Sequence, residues 1–337
     1  MSRRVRLAIT LALFALIGWR TDWAEVGGAL GRIRIDLWLA AVLVLLVTQV
    51  FSAWRWQVLA RPFGFERCVG QLLGYYLIGM YFNLLLPTSV GGDVVRAWYL
   101  DGGSRQRGAA LVAVFVDRFS GLVVLLGFGC VGLALAPPQL PAWIPLFVLC
   151  TTLAAVCAVA AACLLARHGQ RFPAIGKIRT AAGILRSPRL FALSTVLSLG
   201  VQGGNIVLVW LVGLALGADI PFGYYWVLVP MVTLLTMLPI SVNGMGVRES
   251  AMVLFLQPLG IAAATAVPLA LGWFAVFLAV SLAGGLVYLL GRFQRPPTAM
   301  PQPLAADPSL SDPLEAHDGP FHNRADQGRA RQPRAVA

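Results

Sequence analysis

Between residues 5 and 291 the chain alternates long apolar runs with short polar loops that carry arginine. A helix that crosses a bilayer needs roughly 20 mostly apolar residues. Runs of about that length occupy 5–19, 37–56, 68–86, 108–136, 141–166, 190–217, 222–238 and 262–291. The pattern predicts an all-α integral membrane protein with about eight transmembrane helices. The first run follows Arg3, Arg4 and Arg6 and is read as an uncleaved helix, because no clear small-residue cleavage site comes after Trp19 and Arg20. Residues 20–36 are expected to form a short interfacial segment. From residue 292 the apolar periodicity stops, and 292–337 reads as a disordered, Pro-rich cytoplasmic tail.

Composition sharpens this picture. Apolar residues make up 58% of the chain and charged ones 12%, which does not describe a soluble domain of this length. The 26 basic residues against 14 acidic ones would suggest a nucleic-acid partner in a soluble chain. Here the arginines lie between apolar runs, so they report topology and no nucleic acid is expected. The loop 167–189 carries Arg167, Arg171, Lys177, Arg179, Arg186 and Arg189 and is placed in the cytoplasm. Arg55, Arg61 and Arg67 place the second loop inside, Arg105 and Arg107 the start of the run at 108, and Arg292 and Arg295 the C-terminus. Loops 137–141 and 217–222 have no basic residue and belong outside. The five cysteines form no CxxC pair, so neither a zinc site nor a disulfide framework is expected.

These placements conflict at one point. The chain is inside at 67 and inside again at 107, yet 68–86 is long enough to cross. The returning piece, 87–100, starts at Pro87 and is interrupted by Gly91, Gly92, Asp93 and Arg96, so it is too short and polar for a lipid-facing span. A broken or re-entrant hairpin is predicted, which is tolerated at membrane depth only where protein or a water-filled cavity surrounds the exposed backbone.

The same pattern occurs twice. Pro87, Ser89, Val90, Gly92, Val95 and Arg96 are matched at a constant offset of 152 by Pro239, Ser241, Val242, Gly244, Val247 and Arg248, both copies reading P-x-S-V-x-G-x-x-V-R. The register continues to Gly108 with Gly260 and to Gly132 with Gly284. The repeat units span about 68–136 and 220–288. The topology starts the first unit inside and the second outside, so they read as inverted repeats, each with a broken hairpin, as in transporters whose interrupted helices meet near the midplane.

The residue types suggest an anion site. Glycines after Pro87 and Pro239 free backbone N–H groups and leave positive half-helix ends. Arg96 and Arg248 add guanidinium forks suited to phosphate. The competing reading is that the prolines and glycines permit close packing while the arginines reach to the two interfaces. Asp117 and Arg118 lie about 15 Å into the run at 108, near the bilayer centre, where ionisable groups default to a functional hypothesis. A network of Asp93, Arg96, Asp117 and Arg118 with Arg248 and Glu249 is expected, either as a static lattice or in a coupling role. Asn83, Asn243, Gln202 and Asn205 are candidate cavity-lining amides. Trp54, Arg55 and Trp56 are read as an interfacial belt with a snorkelling arginine.

Three stretches carry a resemblance: N-L-L-L-P-T-S-V-G-G-D-V-V-R from Asn83 to Arg96, D-R-F-S-G from Asp117 to Gly121, and L-P-I-S-V-N-G-M-G-V-R-E from Leu238 to Glu249. At these residues, and over about 5–291, the chain resembles the flippase-like membrane domain of the lysylphosphatidylglycerol synthase family. The resemblance implies a bacterial-type inner-membrane protein that moves a lipid with a phosphate-containing head group, anionic or aminoacylated, between leaflets. Carried onto this sequence, the motif positions are Pro87, Gly91, Gly92, Asp93, Arg96, Asp117, Arg118, Pro239, Asn243, Gly244, Arg248 and Glu249. Ser89, Ser241 and Asn83 complete the candidate substrate site. The full-length synthases carry a soluble aminoacyl-transferase domain after the membrane region, and here a short polar tail follows it, so synthase activity is not inherited.

Two other classes compete with a translocator. A membrane-embedded transferase needs a positioned base and often paired carboxylates on a metal; the chain has no D-x-D, no H-E-x-x-H and no histidine within an apolar run. The expectation is therefore a non-enzyme without cofactor or metal. The third class is a membrane partner that docks a cytoplasmic enzyme through the basic loop 167–189 and the tail, a loop equally suited to anionic lipid head groups.

Overall fold

The structure, a computed structural model, describes residues 23–86, 91–135, 140–168, 180–181, 183–184, 187–238, 241 and 243–291. The chain divides into Met1–Pro296 and Pro297–Ala337, and all described residues belong to the first unit. The expected span 5–19, Pro87, Ser89, Pro239 and the tail from 292 lie outside the described residues.

The described chain is built from helices: α1 (Trp23–Gly31), α2 (Ile35–Ala60), α3 (Val69–Leu85), α4 (Gly91–Asp101), α5 (Arg107–Leu135), α6 (Trp143–His168), α7 (Pro188–Ala215), α8 (Phe222–Met237), α9 (Val247–Leu256) and α10 (Ala263–Leu290). Short 3₁₀ turns extend α2 over Arg61–Phe63 and α9 over Gln257–Leu259. Among the described residues, five helical segments are long and apolar enough to cross a membrane: Ile35–Phe63, Arg107–Leu135, Trp143–Ala161, Pro188–Ala215 and Ala263–Leu290. The expected spans 68–86 and 222–238 form helices of 17 and 16 residues, about 25 Å long at 1.5 Å per residue. Each is thus shorter than the roughly 30 Å hydrocarbon core, and the next described helix after each, α4 and α9, is short.

The helix ends follow from local chemistry. α3 stops at Leu86, whose extended backbone precedes Pro87, in keeping with the restriction that a proline places on the residue before it. α8 ends likewise at Leu238, before Pro239. The chain then turns through Asn243, Gly244 and Gly246 at φ 55°, 72° and 80°, left-handed values that favour glycine and asparagine. α4 and α9 start beyond these breaks.

Shifted by 152 residues, α3, α4 and α5 fall on α8, α9 and α10 to within about four residues at each end. The packing has the same reciprocity. α3 lies against α10, and α8 lies against α5, so the first helix of each unit contacts the third helix of the other. Gly132 and Gly284, matched at the same offset in the sequence, mark these two contacts. A Cβ on Gly132 would stand 2.6 Å from the Trp226 backbone, and one on Gly284 would overlap the Leu77 carbonyl. Elsewhere α2 packs along α7, where Gly204 admits the Thr48 side chain.

Among the described residues two large apolar cores result, beside a small cluster of Val26 and Val267. One joins α2, α5, α7, α8, α9 and α10 around Tyr224, Tyr225, Met252 and Phe255. The other surrounds Trp56, Leu72, Ile78, Tyr99 and Leu100 where α2, α3, α4 and α5 meet. Large apolar side chains of α6, including Leu146, Leu149, Leu153 and Val156, stay on the outside, as a lipid-facing helix requires. Gly132→Val and Gly284→Val are each expected to lower the stability of the detergent-purified protein by about 1–3 kcal/mol or more, because the clash is with backbone. Gly127→Val, with open space at its Cβ, should leave the thermal midpoint unchanged. Equal midpoints for all three variants would refute the role assigned to these contacts.

Candidate functional site

Asp117, on α5, is completely buried, and its carboxylate is the acceptor that three other helices share. Arg55 of α2 donates Nε–H to Oδ1 at 2.9 Å, Arg96 of α4 donates to Oδ2 at 3.0 Å, and the Tyr76 hydroxyl of α3 donates to Oδ2 at 3.3 Å. Arg55 also reaches Ser198 Oγ on α7 at 3.1 Å. Successive helical positions point about 100° apart, so Arg118 turns away from Asp117 and takes a different partner. It donates Nε–H and an Nη–H to Asp93 Oδ1 at 3.0 and 2.8 Å, and Arg96 approaches the same oxygen at 3.4 Å. The Arg96 guanidinium packs over the rings of Tyr76 and Trp56, 3.7 and 4.3 Å from their centroids, within cation–π range.

Beside this lattice lies a cavity of about 770 Å³. Arg55, Asp93 and Arg118 form part of its wall, and Arg248 of α9 faces it as well. Uncharged polar groups, among them Gln49, Asn83, Asn205, Thr233 and Asn243, line the rest together with apolar side chains. Four of the apolar ones, Val94, Leu111, Phe115 and Met237, are exposed at 54%, 46%, 66% and 40%.

The first hairpin places Asn83, Asp93, Arg96, Asp117 and Arg118 as one cluster, as the sequence suggested, with Gly91 and Gly92 opening α4. The second hairpin departs from the expected network. Arg248 makes no ion pair among the described residues; one of its terminal nitrogens is buried without a hydrogen-bond partner, and the guanidinium lies over Trp273 and Phe274 at 5.6 and 5.1 Å. Glu249 does not join Asp93 and Asp117 either. It is 2% exposed and accepts the Gly246 N–H at 2.7 Å, capping its own helix. In the first hairpin the Gly92 N–H is bound by Asn83 Oδ1 at 2.7 Å. Each of these N–H groups, expected to be free for an anion, already has a side-chain acceptor. Ser241 is buried with its hydroxyl unpartnered, and Gly244 packs against Thr236 in the turn.

Arg55 requires a correction. It is 3% exposed and lies at the centre of the lattice rather than at an interface, and Trp56 beside it is fully buried while Trp54 stays 44% exposed. Ending the second run at 56 put Arg55 in a terminal turn; α2 runs to Ala60 and on through the 3₁₀ turn, which moves Arg55 about 8 Å inside the helix end. The signal that would have found it is the general cost of an ionisable residue within an apolar run. Gln202, by contrast, spends its amide on the Gly121 carbonyl and on Asn205, while lining the cavity as expected.

Removing one partner of a buried ion pair typically costs about 3–5 kcal/mol, because the other charge is left uncompensated. Asp117→Leu and Arg55→Met are each expected to lower the thermal midpoint sharply, and the double variant to lose less than the sum of the two. Strict additivity would show that the two residues are not one energetic unit.

Compared with known proteins, residues 4–285 match the family described as the lysylphosphatidylglycerol synthase TM region. No curated protein and no solved structure matches the chain significantly. The match covers both hairpins, Asp117 and every wall of the cavity. On that span the chain belongs to the family of lysylphosphatidylglycerol synthase membrane regions, and it is a multi-pass, lipid-related membrane protein.

Proposed function

We propose that the protein is a lipid translocator that carries the head group of a phosphate-containing lipid through the cavity while the acyl chains stay in the bilayer. The observation that carries this reading is Arg248, which lines the cavity and has one guanidinium nitrogen buried without a hydrogen-bond partner. A cation held in that way is costly in a low-dielectric setting, and an anionic ligand offsets the cost. The exposed apolar side chains of Val94, Leu111, Phe115 and Met237 in the lining support a lipid over a soluble anion, since acyl chains can pack against them.

In this reading the chain has about eight spans in a cytoplasmic-type inner membrane, its C-terminus inside, and units 68–136 and 220–288 are inverted repeats. The shared offset of helices and of the glycines Gly132 and Gly284 supports the repeat. Alternating access is then a rocking of one unit against the other. The motif residues Pro87, Ser89 and Pro239 belong to the same substrate site, and the chain acts without enzymatic chemistry of its own.

The two motif arginines play different parts. Arg96 is ion-paired with Asp117 and Asp93, acids it shares with Arg55 and Arg118, and holds the bundle, whereas Arg248 is available to phosphate. In proteoliposomes, Arg248→Gln is expected to abolish leaflet exchange of acyl-labelled anionic phospholipid while leaving the thermal midpoint near wild type. Arg96→Gln should lower the midpoint first. Wild-type exchange in Arg248→Gln would remove this residue from the mechanism, and no exchange by well-folded wild type would remove the translocator.

A further inference from the structure

A cation on a cavity wall needs a partner that keeps it in place, and the nature of that partner decides what the cation has left to offer. In the first unit the partner is an acid. Arg96 rests against the rings of Trp56 and Tyr76, and it donates to Asp117 and Asp93 as well. In the second unit Arg248 also rests against two rings, those of Trp273 and Phe274, with its guanidinium carbon 5.6 and 5.1 Å from their centroids. Among the described residues no carboxylate pairs with it. Its Nη1 is buried without a hydrogen-bond partner, and the neighbouring Glu249 accepts the Gly246 N–H.

The sequence of α10 accounts for part of this difference. At the repeat offset of 152, Trp273 stands where α5 has Gly121, and Phe274 stands where α5 has Leu122. Gly121 leaves room for a cation. A Cβ there would stand 2.9 Å from Arg55 Nη1, on the guanidinium that binds Asp117. In α10 that room is given to an indole, which lines the cavity together with Phe274 and Arg248. An aromatic face attracts a guanidinium through its quadrupole, so it holds the group without neutralising its charge or offering a carboxylate to its N–H donors.

We infer, on the reading of the cavity as a head-group site, that Trp273 and Phe274 are positioning residues: they seat Arg248 at the wall in place of an acid and so reserve its charge and donors for the phosphate of the lipid. An acid at the same seat would hold the arginine and cancel it as a ligand. Loss of the rings would leave the charge without its place.

The test is retention of phosphatidylglycerol by the purified full chain, read by native mass spectrometry beside the thermal midpoint. Trp273→Leu is expected to lower retention about ten-fold, on the order of the attraction of a desolvated cation for an indole face. Trp273→Phe, which keeps a ring, should recover most of it. Phe274→Glu should lose retention as fully as Arg248→Gln does, because the new carboxylate claims the guanidinium. The same pairing makes Phe274→Glu lower the midpoint more in the Arg248→Gln background than in the wild type, where the charge is compensated. Wild-type retention in Trp273→Leu or in Phe274→Glu overturns the inference, as does retention unchanged in Arg248→Gln or an equal fall of the midpoint in the two backgrounds. Leaflet exchange on the same preparation separates the seat from the translocator. Retention that depends on the rings, without exchange of lipid, sustains the seat and sinks the translocator, whereas exchange at the wild-type rate in Phe274→Glu sinks the seat alone.

Discussion

A single buried carboxylate holds the architecture in register. Asp117 is sealed from solvent, and it receives hydrogen bonds from α2, α3 and α4 at once. A lone charge in that position is prohibitive, so the three helices have to converge on α5 at one height for the group to be tolerated at all. Much else follows from this requirement. The short helix α4 has to place Arg96 toward α5, and α2 has to run past Trp56 for Arg55 to reach the same point. Apolar packing gives the bundle its cohesion, while the shared acid ties α2, α3 and α4 to α5.

Once Asp117 and Asp93 are saturated, the chemistry of the cavity is set by what they leave over. Arg248 occupies the position in the second unit that Arg96 occupies in the first, yet α10 supplies no acid where α5 supplies Asp117. The residue of α10 that stands at the offset from Asp117 is Leu269, an apolar side chain buried in the larger core. Two arginines alike in sequence thus have unlike partners. The difference between a structural cation and an available one lies in the helix each of them faces.

Much of this was legible before any coordinates. The repeat at 152 residues anticipates the equivalence of α3–α4–α5 with α8–α9–α10, and the adjacent pair Asp117 and Arg118 correctly requires two different partners. Hydropathy located the long helices because membrane burial imposes it over whole turns. Three features escaped for reasons that are equally physical. Arg55 was hidden by a misplaced helix end, since helix termini are poorly fixed by composition when apolar residues continue on the far side. The separate fate of Glu249 was hidden because a capping carboxylate and a network carboxylate look alike in sequence. The role of Asn83 as acceptor for the Gly92 N–H depends on the angle of the hairpin, which only three-dimensional contact determines.

The unequal anchoring of the two hairpins has a mechanical side. Displacing α4 along α5 breaks the Arg96 and Arg118 pairs with Asp117 and Asp93 and unseats Gly92 from the clasp of Asn83. Displacing α9 along α10 breaks no ion pair among the described residues, because Glu249 travels with the helix it caps and the Arg248 guanidinium rests on ring faces that allow it to slide. The energy needed to shift these two helices therefore differs by the worth of a buried salt-bridge lattice. The first half is stiff in the manner of a stator, and compliance is concentrated in the half that bears the unpaired charge.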